Sequence, residues 1–202
     1  TLYFILFALE AGVKKGVYPK DSYKKRMKEI ETIIHEMPRI REKIDQWYDA
    51  NKEELWSMKR AMTVGIGPSF GPAIEGALKM EETIGIPSNV YETEEFLHGP
   101  VYEIKKDNAV FLLDMDDKMH DRVMMIYEGL HQLTDRVYLI TRHPGNSDKR
   151  VMTIDVDTCS LLLPMLFVMP FQILSSRVCD DCRINAITVY NYRFSQAIKT
   201  KA

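Results

Sequence analysis

Three charged side chains, Glu75, Lys79 and Glu82, are spaced so that a helix would carry them on one face. Intervals of four and seven residues return to nearly the same side of a helix, which turns by about 100° per residue. A histidine, His98, follows in a turn set by Gly99-Pro100. A carboxylate and an imidazole are suited to opening a sugar ring and to moving a proton next to a carbonyl group. The same Glu/Lys spacing is also common on solvated helix faces, so spacing alone leaves both interpretations open.

The helix that carries these charges is predicted over residues 70–84, between two apolar strands. The side opposite the charges is expected to face a sheet, with Glu81 exposed in the last turn before Gly85. The apolar residues on that side are Ile74, Ala77, Leu78 and Ile84.

From Arg60 onward, short apolar runs alternate with helical segments. The predicted strands are 61–66, 88–91, 109–115, 136–141 and 151–156, and two further helices are predicted at 117–133 and from 161. Continuous apolar strands separated by helices are typical of a parallel sheet covered on both faces. The fold class predicted is therefore α/β, a three-layer α/β/α arrangement with a parallel, flavodoxin-like sheet. Ligands in such folds bind beyond the carboxyl ends of the strands, near residues 65–69 and the loop before His98.

A glycine-rich turn follows the first of these strands. Gly65, Gly67 and Gly71 have a spacing one residue longer than a dinucleotide fingerprint, with Pro68 inside it. The sequence therefore predicts a tight strand-to-helix turn in which Gly67, Ser69 and the helix amino terminus contact a substrate.

The first 60 residues are predicted to be helical. A helix over residues 1–15 ends at Gly16 and Pro19. A charge-rich helix is then predicted from about residue 21 towards Glu36, and residues 40–55 continue in the same style. Its lysines and arginine at 24–28 are expected on a solvated face. Its apolar stripe contains Ile30, Ile33 and Ile34.

Composition excludes several classes of partner. A net charge of −2, with both signs spread evenly along 202 residues, favours neither nucleic acid nor a membrane surface. Two apolar segments, 2–11 and 161–174, are shorter than the roughly 20 residues of a membrane span and are predicted to be buried helices. Three cysteines do not suggest a disulfide framework, so a cytoplasmic location is expected.

Two further patterns are assigned no chemical role. Cys179 and Cys182 have C-x-x-C spacing but lack the second pair of ligands of a zinc site. The remaining histidines have no clustered acidic or cysteine partners; they are His35, His120, His131 and His143.

Two strings, EGALKMEE at 75–82 and EEFLHGP at 94–100, resemble the second sugar isomerase (SIS) domain of two-domain enzymes. These enzymes include the isomerase half of glucosamine-6-phosphate synthase and the fructosamine-6-phosphate deglycases. In that family a His-Gly-Pro follows the last Glu of the helix after sixteen residues, the interval between Glu82 and His98. The resemblance implies three parts: residues 1–16 as the last helix of a first SIS domain, 17–59 as a helical inter-domain linker, and 60–202 as the second domain with its tail. The chain, which begins at Thr1, is thus expected to be part of a larger protein that also holds a Ser/Thr-rich phosphate loop.

The resemblance also implies roles for individual residues. Glu82 would move a proton between sugar carbons C1 and C2, and His98 would open the ring, in related dimers from across the subunit interface. Glu75 and Lys79 would orient the substrate and Glu82. A tail lysine, Lys199 or Lys201, would correspond to the Schiff-base lysine of the synthases, with the register open. No cofactor or metal is implied.

The activity first expected from this resemblance is deglycation of a sugar-amine 6-phosphate by a homodimer or higher homo-oligomer. Two alternatives stay open. One is the isomerase module of a glutamine-fructose-6-phosphate aminotransferase, and the other is a non-catalytic domain that senses a sugar phosphate.

Overall fold

The computed structural model describes residues 2–115, 118–185 and 196–199. Within these residues, five strands form one sheet in the order β2-β1-β3-β4-β5, and every neighbouring pair is parallel. The predicted α/β fold with a parallel sheet is confirmed. The strands are β1 (Arg60–Gly65), β2 (Ser88–Glu92), β3 (Asn108–Asp114), β4 (Val137–Thr141) and β5 (Val151–Thr153).

Helices cover both faces of this sheet. The helices are α1 (Leu2–Lys14), α2 (Lys20–Trp56), α3 (Phe70–Lys79), α4 (His120–Leu130), α5 (Pro164–Phe167) and α6 (Met169–Asp181). Helices α2, α3, α5 and α6 pack on one face, whereas α4 and two short 3-10 turns at 95–98 and 100–103 lie on the other.

Alternate residues of the central strands enter different cores. Phe111 and Leu113 of β3 pack in the core beneath α2, α3 and α6, while Val110 and Leu112 pack with α4. Because successive strand residues point to opposite faces and both faces are covered, the strand is apolar throughout. The sheet is thus buried on both faces, and the loops after β1, β3 and β4 lie at its carboxyl edge.

Helix α2 is longer and more deeply packed than a linker requires. It runs unbroken for 37 residues through Pro38, and its buried side chains belong to the same core as the sheet. Ile30 and Ile33 are buried as predicted, but Ile34 is 50% exposed, so its place on the stripe is wrong. Ile34 follows Ile33 by one residue, and that step of about 100° carries it away from the core. The division of the chain near residue 60 stays a prediction.

The side of α3 that faces the sheet differs from the prediction. Ala77 is buried and Ile84 packs partly buried against the core, as expected, but Ile74 and Leu78 are 46% and 41% exposed. A Cβ atom on Gly76 would lie 2.8 Å from the ring of Phe171 on α6. Close approach of α3 and α6 therefore requires small residues between them, and the large apolar residues point outward. The buried residues of α3 are Pro72, Ala73, Gly76 and Ala77.

The two apolar segments behave differently from each other. Segment 161–174 is largely buried, as predicted, although Leu161 is exposed. Helix α1 has no fully buried residue, and Tyr3 and Phe7 are exposed, so its prediction as a buried helix is wrong. In the part of the chain that the structure describes, no helix is both long enough and apolar enough to cross a membrane.

Candidate active site

The predicted charge triad forms on the outer side of α3 and of the turn that continues it. The Lys79 Nζ atom lies 2.8 Å from Glu82 Oε2 and 3.5 Å from Glu75 Oε1. The hydrogen bond to Glu82 is the main cause that raises the pKa of Lys79, and the charge of Glu75 adds to it. Lys79 therefore stays protonated, and its ammonium group joins two partly exposed carboxylates.

Glu82 lies in a π-helical turn, Met80–Ile84, and not in the regular helix. The turn ends at Gly85, whose φ of 76° lies in the left-handed region that favours glycine. Cys179 of α6 donates a hydrogen bond from its Sγ to the carbonyl oxygen of Thr83 at 3.1 Å. Single π-turns occur often at functional sites because they re-aim side chains along a helix.

Ser69 is buried and bonded within the glycine-rich turn. Its hydroxyl donates to the carbonyl oxygen of Ile66 at 2.9 Å and accepts from the Ile66 N–H group at 2.8 Å. Gly67 has a φ of 55° and is exposed at the tip. The turn thus has the predicted tight form, with the Ser69 hydroxyl engaged in holding its shape.

His98 is exposed at the end of a 3-10 turn that is held from two sides. Glu92 Oε2 accepts the N–H groups of Glu94 and Glu95 at 2.8 and 3.2 Å. Arg122 of α4 donates two hydrogen bonds to the carboxylate of Glu94, at 2.8 and 3.0 Å. These bonds to Arg122 lower the pKa of Glu94, and the nearby charge of His98 contributes less.

One chain does not bring Glu82 and His98 together. Helix α3 follows β1 and returns antiparallel to it, so Glu82 lies near the amino edge of the sheet, shortly before Gly85 ends the turn and the chain enters β2. His98 follows the carboxyl end of β2. The residues of β2, at about 3.3 Å each, separate these edges by more than ~10 Å. Among the described residues no hydrogen bond or ion pair joins Glu82 and His98.

A second cluster of polar side chains lies at the carboxyl edge of the sheet. Asp114, buried at the end of β3, lies 2.8 Å from His120 Nδ1 and accepts a hydrogen bond from the Thr141 hydroxyl at 2.7 Å. The rings of His120 and His143 are 4.8 Å apart. The prediction that these two histidines lack an acidic partner is therefore wrong for His120. The signal available in the sequence was that Asp114 and Thr141 each end an apolar strand, and the carboxyl ends of parallel strands meet at one edge.

The remaining candidates are less informative. Lys199 is exposed in the segment 196–199, and Lys201 lies outside the described residues. Cys179 and Cys182 are free thiols whose pKa values are raised by burial. In the described ranges, no group of three or more acidic, histidine or cysteine residues is arranged to hold a metal ion.

A cavity of about 520 Å³ borders the charge triad at Glu75. Its walls are mainly apolar and come from α1, α2, α3, α5 and the start of α6, with Gln172 as a second polar residue. A carboxylate at the edge of an apolar cavity of this size is typical of a small-molecule site. The other lining residues are Leu2, Met37, Gly71, Pro72, Pro164, Met165 and Val168.

The sequence profile of the SIS domain matches residues 54–175, which span the whole sheet. This chain belongs to the SIS-domain family. The glutamine–fructose-6-phosphate aminotransferase (isomerizing) of Chlorobaculum tepidum is 29% identical over 182 residues, which cover 86% of this chain and 29% of that protein. The corresponding protein of Clostridium perfringens is 31% identical over 162 residues, covering 75% of this chain and 27% of that protein. This SIS chain thus spans less than a third of the length of these relatives.

Solved structures with the same fold match most of this chain. A proposed phosphosugar isomerase from Clostridium difficile superposes with a TM-score of 0.88 at 26% identity, over 98% of this chain and 56% of that one. The C-terminal domain of glucosamine-fructose-6-phosphate aminotransferase from Francisella tularensis gives a TM-score of 0.70 at 20% identity, over 86% of this chain and 50% of that one.

Proposed function

We propose that this SIS chain belongs to an enzyme that transfers a proton between adjacent carbons of a phosphorylated sugar, with a sugar-amine 6-phosphate as substrate. The observation that carries the proposal is the triad of Glu75, Lys79 and Glu82. The Lys79 Nζ atom lies 2.8 Å from Glu82 Oε2, and Glu75 borders the cavity of about 520 Å³. A carboxylate held in place by a neighbouring cation is suited to act as a general base.

In the proposed reaction, Glu82 removes a proton from C1 of the open-chain ketoamine and the proton returns at C2. The C1–N bond then becomes an imine, and water hydrolyses it to glucose 6-phosphate and the free amine. Lys79 and Glu75 orient the carboxylate and the sugar hydroxyls. Each step is a proton transfer or a hydrolysis, which acid–base side chains can catalyse.

His98 is proposed to act on the substrate held by a second copy of the chain. Its turn lies at the carboxyl edge of the sheet, whereas Glu82 lies near the amino edge, so one chain cannot present both to the same sugar carbon. In a two-fold symmetric dimer each subunit can donate the same residue to the other. The exposed position of His98, on a turn fastened by Arg122, is suited to such a contact.

Two observations bear on the choice between deglycase and synthase. The relatives that carry glutamine–fructose-6-phosphate aminotransferase names favour the isomerase module of a synthase as the second candidate. However, the structure with a TM-score of 0.88, which matches 98% of this chain, is named a phosphosugar isomerase and not an aminotransferase. That likeness supports a two-domain enzyme without a glutaminase, for which deglycation is the first choice. A sensor without turnover is the remaining alternative.

The deciding experiment uses the full-length protein. It would be incubated with glycated amino acid 6-phosphates, and separately with fructose 6-phosphate and glutamine. Release of glucose 6-phosphate in the first reaction is expected. Formation of glucosamine 6-phosphate in the second would favour the synthase, and tight binding without product in either would favour the sensor.

The position of His98 can be tested by mixing two inactive variants of the full-length protein, Glu82→Gln and His98→Asn. If each site takes Glu82 and His98 from different copies, a mixed dimer keeps one intact site, and random exchange of subunits restores about a quarter of the wild-type activity. If both residues act within one chain, no mixed dimer contains an intact site and the mixture stays inactive. Each variant mixed with itself is the control.

A further inference from the structure

A second cavity, of about 470 Å³, lies between α2 and the segment that follows β5. Its walls combine a basic stretch of α2 with a turn at the carboxyl side of the sheet. The lining residues are Lys25, Arg26, Lys28, Glu29, Thr32, Asp157, Thr158 and Cys159. This basic stretch is predicted from the sequence to be solvated, and Lys25 and Lys28 are indeed exposed, at the mouth of the cavity.

The acidic residues of this cavity are already paired. Glu29 Oε2 accepts a hydrogen bond from Arg26 Nη1 within α2, and Asp157 lies 3.5 Å from Arg142. Lys25 and Lys28 have no ion-pair partner in the described part of the chain. The pairs cancel each other's charge, so two lysines leave the cavity with a net positive potential.

Thr158 adds an unpaired hydroxyl group to the wall of this cavity. Its side chain is 6% exposed, it lines the cavity, and its Oγ1 atom has no hydrogen-bond partner within the described residues. Buried hydroxyl groups are nearly always hydrogen-bonded. A rotation about the Cα–Cβ bond exchanges the hydroxyl and methyl positions of a threonine, so this hydroxyl has a route to an oxygen atom in the cavity.

We propose that this cavity binds a small phosphorylated metabolite, with Lys25, Lys28 and the Thr158 hydroxyl around its phosphate group. Two ammonium groups and a hydroxyl supply the donors that a phosphate dianion requires. The volume exceeds that of phosphate alone and falls in the range of about 300–1,000 Å³ that is typical of metabolite sites. The carboxyl side of a parallel sheet is also where ligands of α/β domains bind.

This site is separate from the charge triad. Lys25 and Lys28 lie on the first third of α2, whereas Glu82 lies in the π-helical turn that follows α3, near the amino edge of the sheet. The two cavities have no lining residue in common. Binding of a phosphorylated metabolite in the second cavity is therefore expected to be unchanged in Glu82→Gln. If the proposed catalytic function is wrong, binding in this cavity can still be tested separately.

Cys159 offers a local readout because it lines the cavity and is half-buried. The full-length protein would be treated with iodoacetamide in the presence of inorganic phosphate, glucose 6-phosphate or glucose. Mass spectrometry would then measure how fast each cysteine is alkylated. We expect glucose 6-phosphate, and more weakly phosphate, to slow alkylation of Cys159 but not of Cys182, while glucose has no effect. Equal protection by phosphate and glucose 6-phosphate would overturn the metabolite assignment, because inorganic phosphate would then be a sufficient ligand.

The paired variant Lys25→Ala/Lys28→Ala is expected to weaken this protection by about tenfold or more. Its matched control is Lys105→Ala/Lys106→Ala, which removes the same charge from exposed lysines before β3. Thr158→Val is isosteric and should weaken protection by about threefold or more while keeping the fold. No protection of Cys159 in the wild type, or equal weakening in the control variant, would overturn the proposal.

Discussion

At the scale of single residues, the informative feature is one cation shared by two carboxylates. Lys79 lies between Glu75 and Glu82, and all three side chains are about one-third exposed. Ion pairs with this much exposure contribute only about 0–1 kcal/mol to stability because water and salt screen them. The arrangement therefore orients a carboxylate while contributing little to the stability of the fold.

This leads to a prediction about Glu82→Gln. The substitution keeps the size of the side chain but removes its ability to accept a proton, so turnover in the full-length protein should fall by about 10²–10⁴-fold. The urea midpoint should change little, because the lost ion pair is exposed. Glu81→Gln is the matched control, since Glu81 is the exposed neighbour outside the triad. Equal loss of turnover in both variants would contradict a specific role for Glu82.

At the scale of elements, the position of the triad depends on how closely α3 approaches α6. Gly76 faces the ring of Phe171, and Cys179 of the same helix bonds the π-turn that carries Glu82. The outward direction of the triad thus follows from small residues packed on the opposite side of α3. A wider spacing between the two helices would move the triad relative to its cavity.

The matching prediction compares two glycines of α3. Gly76→Ala adds a Cβ atom 2.8 Å from an aromatic ring, so overpacking should destabilise the fold by about 1–3 kcal/mol. Gly71→Ala meets no atom within 4 Å and has no positive φ, so it should be neutral or stabilising by up to about 1 kcal/mol. Urea unfolding of both variants measures the difference. A Gly76→Ala variant as stable as the wild type would show that α3 and α6 can separate without cost.

At the scale of the whole molecule, ion pairs join the long helix α2 to the edge of the sheet formed by β5. Glu54 accepts hydrogen bonds from Lys149 at 2.7 Å and from Arg150 at 3.0 Å. Near the middle of α2, Arg39 and Lys43 contact Asp155 at 2.9 and 2.6 Å. These contacts join residues that are far apart in the sequence, and with the shared core they make α2 part of the same folding unit as the strands.

These contacts predict how stability depends on pH. Burial raises the pKa of Glu54, but Lys149 and Arg150 together outweigh burial and lower it below its ordinary value of 4.5. A carboxyl whose pKa is lower in the folded state contributes stability above its ordinary pKa, and that contribution is lost as the pH falls through the folded value. The free energy of unfolding should therefore decline as the pH falls below about 4.5.

The decline should be shallower in Glu54→Gln, because that variant has no carboxyl to protonate at this position. Glu53→Gln, on the exposed side of the same helix turn, is the matched control and should keep the wild-type slope. Denaturant titrations at a series of pH values would measure both. An unchanged slope in Glu54→Gln would assign the acid sensitivity to other carboxyls, such as Asp155, whose pKa is also lowered overall by Lys43 and Arg39 despite burial.

Local patterns in the sequence determined the parallel α/β sheet and the triad of Glu75, Lys79 and Glu82. Both depend on periodicities of 2 and 3.6 residues, which operate over a few neighbouring residues. The same patterns placed Ile74 and Leu78 toward the sheet, because periodicity marks an apolar face but does not show how close the next helix comes.

Only the tertiary structure decided which distant residues meet. It paired Asp114 with His120, placed the basic stretch of α2 at the same cavity as Thr158, and separated Glu82 from His98 at opposite edges of the sheet. Each of these outcomes follows from strand order and from the direction in which a helix returns along the sheet. Those are properties of the assembled layers, and a linear pattern of residue types does not encode them.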